Sequence, residues 1–576
     1  MIPYDSPILS LYLNQLVDWD EYFAKRLGDG ADRVAERETL ATVLQTAAQI
    51  CSEIEPSLRA GWHAAARLEG DRVVYPPHIQ HAYETLAQAG LVSYAVDAAY
   101  GGYGLPAWLT NVILQMVARA DAGLMTILGL QAGVAEDIQL YGSEELKQRY
   151  LPRFASGEIM GAMDLTEAQA GSDLGAIRTR ATERGAEFAL DGEKIFITNG
   201  GSEVHLVLAR DADRYDASLG TTRGLSLFLC PRTLPDGARN GVSVVRLEEK
   251  LGIHGSPTAV VRFEGARAWL IGTKGEGFRA MLTLMNNARL GVAAQGIGIA
   301  EAALSCAVGY ARQRKQFGVP IAEQPLMKNI LARMVTWLEG ARALLYRTCA
   351  LVDRNKSIEA YLAREKLPES ERRQWEAVFE RNQTRIRLFT PLAKYLATET
   401  ADDITRTAIQ VHGGLGFMAE SEAGKLHNDA IITTIYEGTS EIQISFALKE
   451  VGKGALQVVF DDVTREMAAF TRPELAPYIE RVEQGIAQVI AAGPALLSDP
   501  SYALLSAGSL AESIISVIVS AELLKQADAD PSRLDVAASW VDRRMVDLEG
   551  RTERIRRGSA ALLDRCERMI DAAVPA

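Results

Sequence analysis

The sequence predicts an α+β protein that runs from helices to strands and back to helices, on three observations. Apolar residues recur at three- and four-residue steps from about position 37 to 153, the spacing of packed amphipathic helices. Between 161 and 271 the chain changes to short β-type runs separated by Gly, Pro and Asp. Helical spacing returns at 277 and continues to the end. The expected organisation is an N-terminal helical domain over 1–159 and a middle β-barrel or sandwich domain over 160–275. A helical bundle over 276–452 and an additional C-terminal helical domain over 453–576 complete it.

Each element has a local reason. LATVLQTAAQICSEI and LPAWLTNVILQMVARADAGLMTILGL carry the first helices, and GGYGLP breaks them as a loop. FALDGEKIFITNGG sets Asp191-Gly192 between two apolar runs, which predicts a hairpin there. VHLVLAR, GLSLFLCP, GVSVVRLE and TAVVRFEGARAWLI supply further strands. The charged stretch 353–382, with one proline, reads as a solvated helix pair or excursion. The last segment is helical, punctuated by Pro473, Pro477, Pro494 and Pro500.

Composition bounds the function. The 576 residues exceed one ordinary core, and a net charge of −13 argues against general attraction to nucleic acid or anionic lipid. Five scattered cysteines without a CxxC pair read as reduced, buried filler in a cytoplasmic protein, with no disulfide framework and no metal site. The N-terminus lacks the pattern of a secretory or transit signal. The nearest approach to a membrane span, 504–524, is interrupted by Glu512, Glu522 and five serines and reads as a buried helix.

Six segments carry candidate chemistry. MDLTEAQAGSD, from Met163, places Thr166 and a Gly-Ser-Asp turn where backbone N–H groups and the Ser172 hydroxyl suit a phosphate or carbonyl oxygen; an ordinary turn reads equally well. In KIFITNGG, Phe196 and Thr198 share one strand face, so a ring and a hydroxyl can meet one flat ligand; taken alone, the motif reads first as a strand end with a cross-strand aromatic. Asn286 and Arg289 lie one helical turn apart and can point into one cleft; the arginine reads as one that snorkels or pairs with an acid, or as an anchor for a polar or anionic ligand group. Arg314, Gln316, Phe317 and Gln324 surround a Gly and a Pro in RKQFGVPIAEQ, an arrangement that suits a diphosphate or any helix end. QVHGGLGF, with Gln410, His412, Gly413 and Gly414, is a glycine-rich bend that admits a ligand close to the backbone. Finally, Glu437 stands in the apolar run of ITTIYEGTSEIQ, where desolvation would raise its carboxyl toward the range of a working base; a helix-start glutamate is the alternative.

In this order and across these textures, the segments resemble the acyl-CoA dehydrogenase family over about residues 37–452. The resemblance implies FAD as cofactor, an acyl-CoA substrate and Glu437 as the base that removes the α-proton while the β-hydrogen passes to the flavin. Met163, Leu165, Thr166 and Ser172 would line the flavin, Ser172 also touching the acyl-CoA. Phe196 would cover the ring and Thr198 would bond near it. Arg314, Gln316, Phe317, Gln324, Gln410, His412, Gly413 and Gly414 would grip the FAD of a neighbouring subunit, and Thr439 and Glu441 its diphosphate end. Asn286 and Arg289 fall where the family binds CoA, with Gly438 beside the thioester. The position before that arginine, where some members carry the base, is Ala288. The resemblance further implies trans-2-enoyl-CoA as product, electron-transfer flavoprotein as acceptor, a place in fatty acid β-oxidation, and a homodimer or homotetramer.

The chain departs from the family pattern at Ala168, which should loosen the first loop. It departs again at Asn286, and at Asn428, where an ion pair to the following aspartate should be missing. Its long N-terminal lead and extra C-terminal helices resemble a larger bacterial branch that includes methylmercaptopropionyl-CoA dehydrogenases, although its RKQFG stays close to the general form. Two alternatives share the fold: an acyl-CoA oxidase, and a flavoprotein that binds DNA through its tail. Between 543 and 568 eight arginines are offset by five acids, a local charge of +3, which disfavours a nucleic-acid site.

Overall fold

The computed structural model describes residues 6–574 apart from Asp29, Ala31 and Ser498, with Thr283, Leu284 and Asn286 described by their backbone alone. The chain divides into two compact units. One comprises Thr42–Ala302 with Ala419–Thr433; the other comprises Ala303–Met418 and Thr434–Ala576 with the N-terminal segment up to Ala41.

The first unit combines helices with a β domain. The Ala107–Ala120 and Ala122–Tyr141 helices are separated by Asp121, whose extended backbone stops one helix while its carboxylate caps the next, accepting from the Leu124 N–H at 2.8 Å. A short hairpin, β1 (Arg67–Glu69) and β2 (Arg72–Val74), lies in a region expected to be wholly helical. The main sheet holds β3 (Gly161–Asp164), β4 (Arg180–Arg184), β5 (Glu187–Thr198), β6 (Val204–Asp211), β7 (Leu225–Pro231), β8 (Val242–Leu247) and β9 (Thr258–Ile271). β6 takes β3 and then β4 along one edge and β7 along the other; β4 pairs β5, β5 pairs β9, and β9 pairs β7. The ring closes, so of the two expected architectures the barrel is the one formed.

Period-two alternation builds this domain. Val207, Ala209, Phe228 and Cys230 point into the barrel with Val261 and Phe263. Their neighbours Leu206, Leu208, Leu227 and Leu229 point outward against Val134, Ile138, Leu151 and Phe154 of the helices. Both faces are covered, which explains continuous apolar runs such as LSLFLCP.

The hairpin expected at Asp191-Gly192 is not there. β5 runs through it as one strand with a bulge between Leu190 and Gly192, and the turn lies earlier, at Gly185 (φ +69°). Gly192 serves close approach: an added Cβ would stand 2.6 Å from Thr179 Oγ1.

The second unit is helical. The charged stretch forms a helix pair, Pro325–Arg364 and Glu369–His412, broken before Pro368. Ser440–Gly452 follows, and then Ala455–Met467, Ala476–Leu497, Ala507–Ala529 and Leu534–Arg557 form the C-terminal part. Gly340 lets Trp540 lie against the Pro325–Arg364 helix; a Cβ would meet its ring at 2.2 Å. In Ala507–Ala529 the hydroxyls of Ser513, Ser516 and Ser520 each donate to the carbonyl four residues back, so serines are buried without loss. Among the described residues this helix and Gly277–Gln313 are long and apolar enough to cross a membrane, and most of each apolar window is buried inside the protein.

Candidate functional site

In the first unit, β3 ends at Asp164 and delivers the chain into the Leu165–Ser172 loop. The loop is wired from inside. Lys194, fully buried on β5, donates at 2.8 Å to the Leu165 carbonyl, the Leu208 carbonyl and the Glu167 carboxylate. Glu167 also accepts from the N–H groups of Arg178 and Thr179, the Thr179 hydroxyl and the Gln169 amide. Burial by itself would raise the Glu167 carboxyl, but Lys194 and these donors hold it below its ordinary value. Burial pushes the Lys194 ammonium down, against the pull of Glu167. The geometry, three oxygens around one Nζ, is that of an ammonium ion, and we take the pair as charged.

The Thr166 carbonyl accepts from the Ile195 N–H at 2.9 Å, so the loop runs beside β5. There β5 bulges between Lys194 and Ile197, and Phe196 adopts φ +59°. The bulge turns Lys194 inward and leaves the Phe196 ring 61% exposed, with Thr198 half-buried two residues on. Within this segment Met163 and Thr166 are half-buried, Leu165 is buried and Ser172 is exposed. Arg289 is buried in Gly277–Gln313, and the Asn286 side chain lies outside the described residues.

In the second unit, Glu437 (φ +55°) and Gly438 (φ +92°) are consecutive left-handed residues. A glutamate there costs about 1–2 kcal/mol and persists only where its surroundings hold it. The holding groups are visible: Gln443 Nε2 donates at 3.0 Å to the carbonyls of both Glu437 and Gly438, and Lys394 Nζ donates at 3.0 Å to Gly438. Lys394 and Gln443 are fully buried. Thr439 then caps the Ser440–Gly452 helix, and Ser440 donates to Glu399. Glu437 is half-buried and Glu441 exposed.

Also in the second unit, β10 (Lys315–Gln316) and β11 (Val319–Pro320) form a hairpin whose turn residues Phe317 and Gly318 are both left-handed. Phe317 is 95% exposed; Arg314 and Gln316 are exposed, and Gln324 precedes the Pro325–Arg364 helix. The Glu369–His412 helix ends at Gln410–Gly414, with His412 stacked on Tyr310 at 4.4 Å and 3.4 Å from Cys306 Sγ. The Tyr310 carbonyl accepts the Arg314 N–H at 2.8 Å, so the residue whose ring stacks on His412 lies one helical turn before the hairpin.

Sequence reasoning missed Lys194, Glu167, Lys394 and Gln443. A lysine inside an apolar helical run, as in FTPLAKYLAT, is the signal that marks Lys394. The ion pair expected to be missing at Asn428 is supplied from the preceding turn: Lys425 sits 2.6 Å from Asp429, which also accepts the Ile253 N–H. Cys566 is exposed and Cys306 half-buried, so buried filler describes only Cys51, Cys230 and Cys349.

Three models of the acyl-CoA dehydrogenase family match in sequence: the N-terminal domain over 41–158, the middle domain over 162–266 and the C-terminal domain over 275–452. The 3-methylmercaptopropionyl-CoA dehydrogenase of Ruegeria pomeroyi is 33% identical across 90% of this chain and 92% of its own. Among solved structures, butyryl-CoA dehydrogenase of Megasphaera elsdenii matches with a TM-score of 0.59 at 27% identity, over 73% of this chain and 98% of that one. Caenorhabditis elegans ACDH-11 in complex with C11-CoA shares the fold over 100% of this chain and 96% of its own, with a TM-score of 0.81 at 22% identity. The chain belongs to the acyl-CoA dehydrogenase family, FAD-binding oxidoreductases that act on CH–CH groups.

Proposed function

We propose that the protein dehydrogenates an acyl-CoA thioester to the trans-2-enoyl-CoA with Glu437 as base, FAD as cofactor and electron-transfer flavoprotein as acceptor. The observation that carries this reading is the pinned left-handed Glu437–Gly438 pair. A strained, over-held backbone aims one carboxylate, and general bases need such placement before they need basicity.

The residues suit the cofactor. Phe196 presents an exposed ring from a bulge, and at Gly413 and Gly414 an added Cβ would meet nothing within 4 Å, leaving room for a ligand at the backbone. Met163, Leu165, Thr166, Ser172, Phe196 and Thr198 would hold the ring system, and Thr439 and Glu441 the diphosphate end. Arg314, Gln316, Phe317, Gln324, Gln410, His412, Gly413 and Gly414 would hold the FAD of a second copy. Phe317 and Phe417, 95% and 86% exposed, support covering by that copy. When bound, FAD supplies the acceptor for the β-hydrogen and its electron pair.

Arg289 and Asn286 bind CoA in this reading, with Ser172 and Gly438 along the acyl portion. Glu437 takes the α-proton onto its carboxylate. Its backbone N–H donates to the thioester oxygen as negative charge develops there, and one such donor is worth about 3 kcal/mol.

The test is a panel of acyl-CoA substrates, straight-chain and 3-methylmercaptopropionyl, assayed by flavin bleaching with Glu437→Gln as control. The expected result is bleaching by at least one substrate and a loss of about 100- to 10,000-fold in the variant. Wild-type bleaching by Glu437→Gln sinks the base assignment.

A further inference from the structure

We infer that Lys394 and Gln443 are positioning residues that aim Glu437; the inference rests on reading Glu437 as the base. Gln443 holds the carbonyl of the Glu437–Gly438 peptide, and Gln443 and Lys394 together hold that of the next peptide, each bond at 3.0 Å. Two successive peptide planes are thereby fixed from the protein interior. Those planes, with the left-handed φ at Glu437, restrain the backbone that carries the Glu437 side chain, the group that the proposed reaction uses as base.

The choice of residues fits the task. Left-handed backbone at a glutamate relaxes to an ordinary conformation unless its peptides are restrained. Lys394 projects from the Glu369–His412 helix, and a four-carbon stem carries its donor to the turn. Gln443 stands four residues past the Thr439 cap, so the helix that begins at Ser440 returns one of its own side chains to the turn before it. Thr439 sets where that helix starts, Gln443 ties it back, and Lys394 supplies a brace from a second helix. Replacing Lys394 with Met leaves the Gly438 carbonyl still bonded to Gln443. The fold is therefore expected to survive while the aim degrades.

The experiment uses the FAD-loaded full chain and compares Lys394→Met, Gln443→Met, Lys394→Arg and Glu437→Gln. Misplacement of a reacting group by about 1 Å costs up to about 100-fold in rate. Lys394→Met and Gln443→Met are expected to lower kcat by about 10- to 100-fold, with KM and FAD content within about twofold of the parent. Lys394→Arg is expected to recover most of the loss. Independently of turnover, hydrogen exchange in the segment 434–443 of the FAD-free protein is expected to speed up in both Met variants.

Parental kcat in Lys394→Met and Gln443→Met, or unchanged exchange in that segment, overturns the proposal while leaving an inactive Glu437→Gln to support the base. An active Glu437→Gln removes the base assignment and this proposal with it, and the exchange result still reports whether the turn is held. If Lys394→Met does not fold, Gln443→Met carries the test. If neither yields folded protein, the pair is purely structural and the proposal fails.

Discussion

Two fully buried lysines, one in each unit, do related work by different means. Lys194 contacts two carbonyls and the Glu167 carboxylate, and Glu167 is itself saturated by donors from Gln169, Arg178 and Thr179. Lys394 donates to the carbonyl of a strained turn that Gln443 also holds. The first is a closed electrostatic hub in which every member depends on the others. The second braces backbone that has other support. Burial alone therefore does not say what a lysine is for: the first should set stability, the second geometry.

Breaking the hub should produce the largest effect on stability. Lys194→Met leaves Glu167 buried without its cation, a change that costs about 3–5 kcal/mol. Urea unfolding should show it, whereas Lys394→Met should shift the midpoint far less. Replacing Glu167 as well, with Gln, should recover part of the loss by removing the stranded charge. Acid sharpens the contrast. Glu167 sits below its ordinary value in the folded state, so its stabilisation is present above the unfolded carboxyl value and is lost as pH falls through the folded one. The deficit of Lys194→Met should narrow on acidification. A deficit that holds constant with pH would mean that Lys194 acts by packing and not by charge.

How far the residues announce this arrangement differs between the regions. The β character of the middle region was legible in short runs such as VHLVLAR, although burial on both faces leaves no polar alternation to mark which residues point inward. So was the motif series, because each motif is contiguous. What did not show was tertiary choice. Asp191-Gly192 reads as a turn, yet a strand that bulges needs the same missing side chain, and Thr179 decided between them. Strict alternation would put Lys194 on the face of Phe196; a bulge separates them by shifting the register by one. The supports of Glu437 come from positions 43 residues before it (437 minus 394) and 6 after it, and no local pattern links them. The ion pair at Asp429 survived the loss of a neighbouring arginine because Lys425 lies one turn back, a spacing that was readable and went unread.

A carboxylate held by arginines tests whether the hub's cost is general. In the second unit Arg347 bonds Glu466 at 2.6 Å and Glu522 at 3.1 Å, and Arg385 bonds Glu466 at 3.1 Å. Burial would raise the Glu466 carboxyl, but the two arginines pull it from 4.5 down to about 2. That displacement corresponds to about 3 kcal/mol at about 1.36 kcal/mol per pH unit. Its folded value is the lower one, so the contribution is complete above about pH 4.5 and is lost as pH falls toward 2. Glu466→Gln should therefore cost at most about 3 kcal/mol at pH 7, less than Lys194→Met, and its deficit should vanish near pH 2. The ordering has a physical cause. A guanidinium forks, so Arg347 keeps Glu522 when Glu466 is neutralised, and Tyr12 still donates to Glu522 at 2.7 Å. When Lys194 is replaced, the donors that Glu167 keeps, from Gln169, Arg178 and Thr179, are neutral. Urea titrations of both variants from pH 2 to 7 would decide it, and a larger loss for Glu466→Gln at pH 7 would reverse the ranking of the two networks.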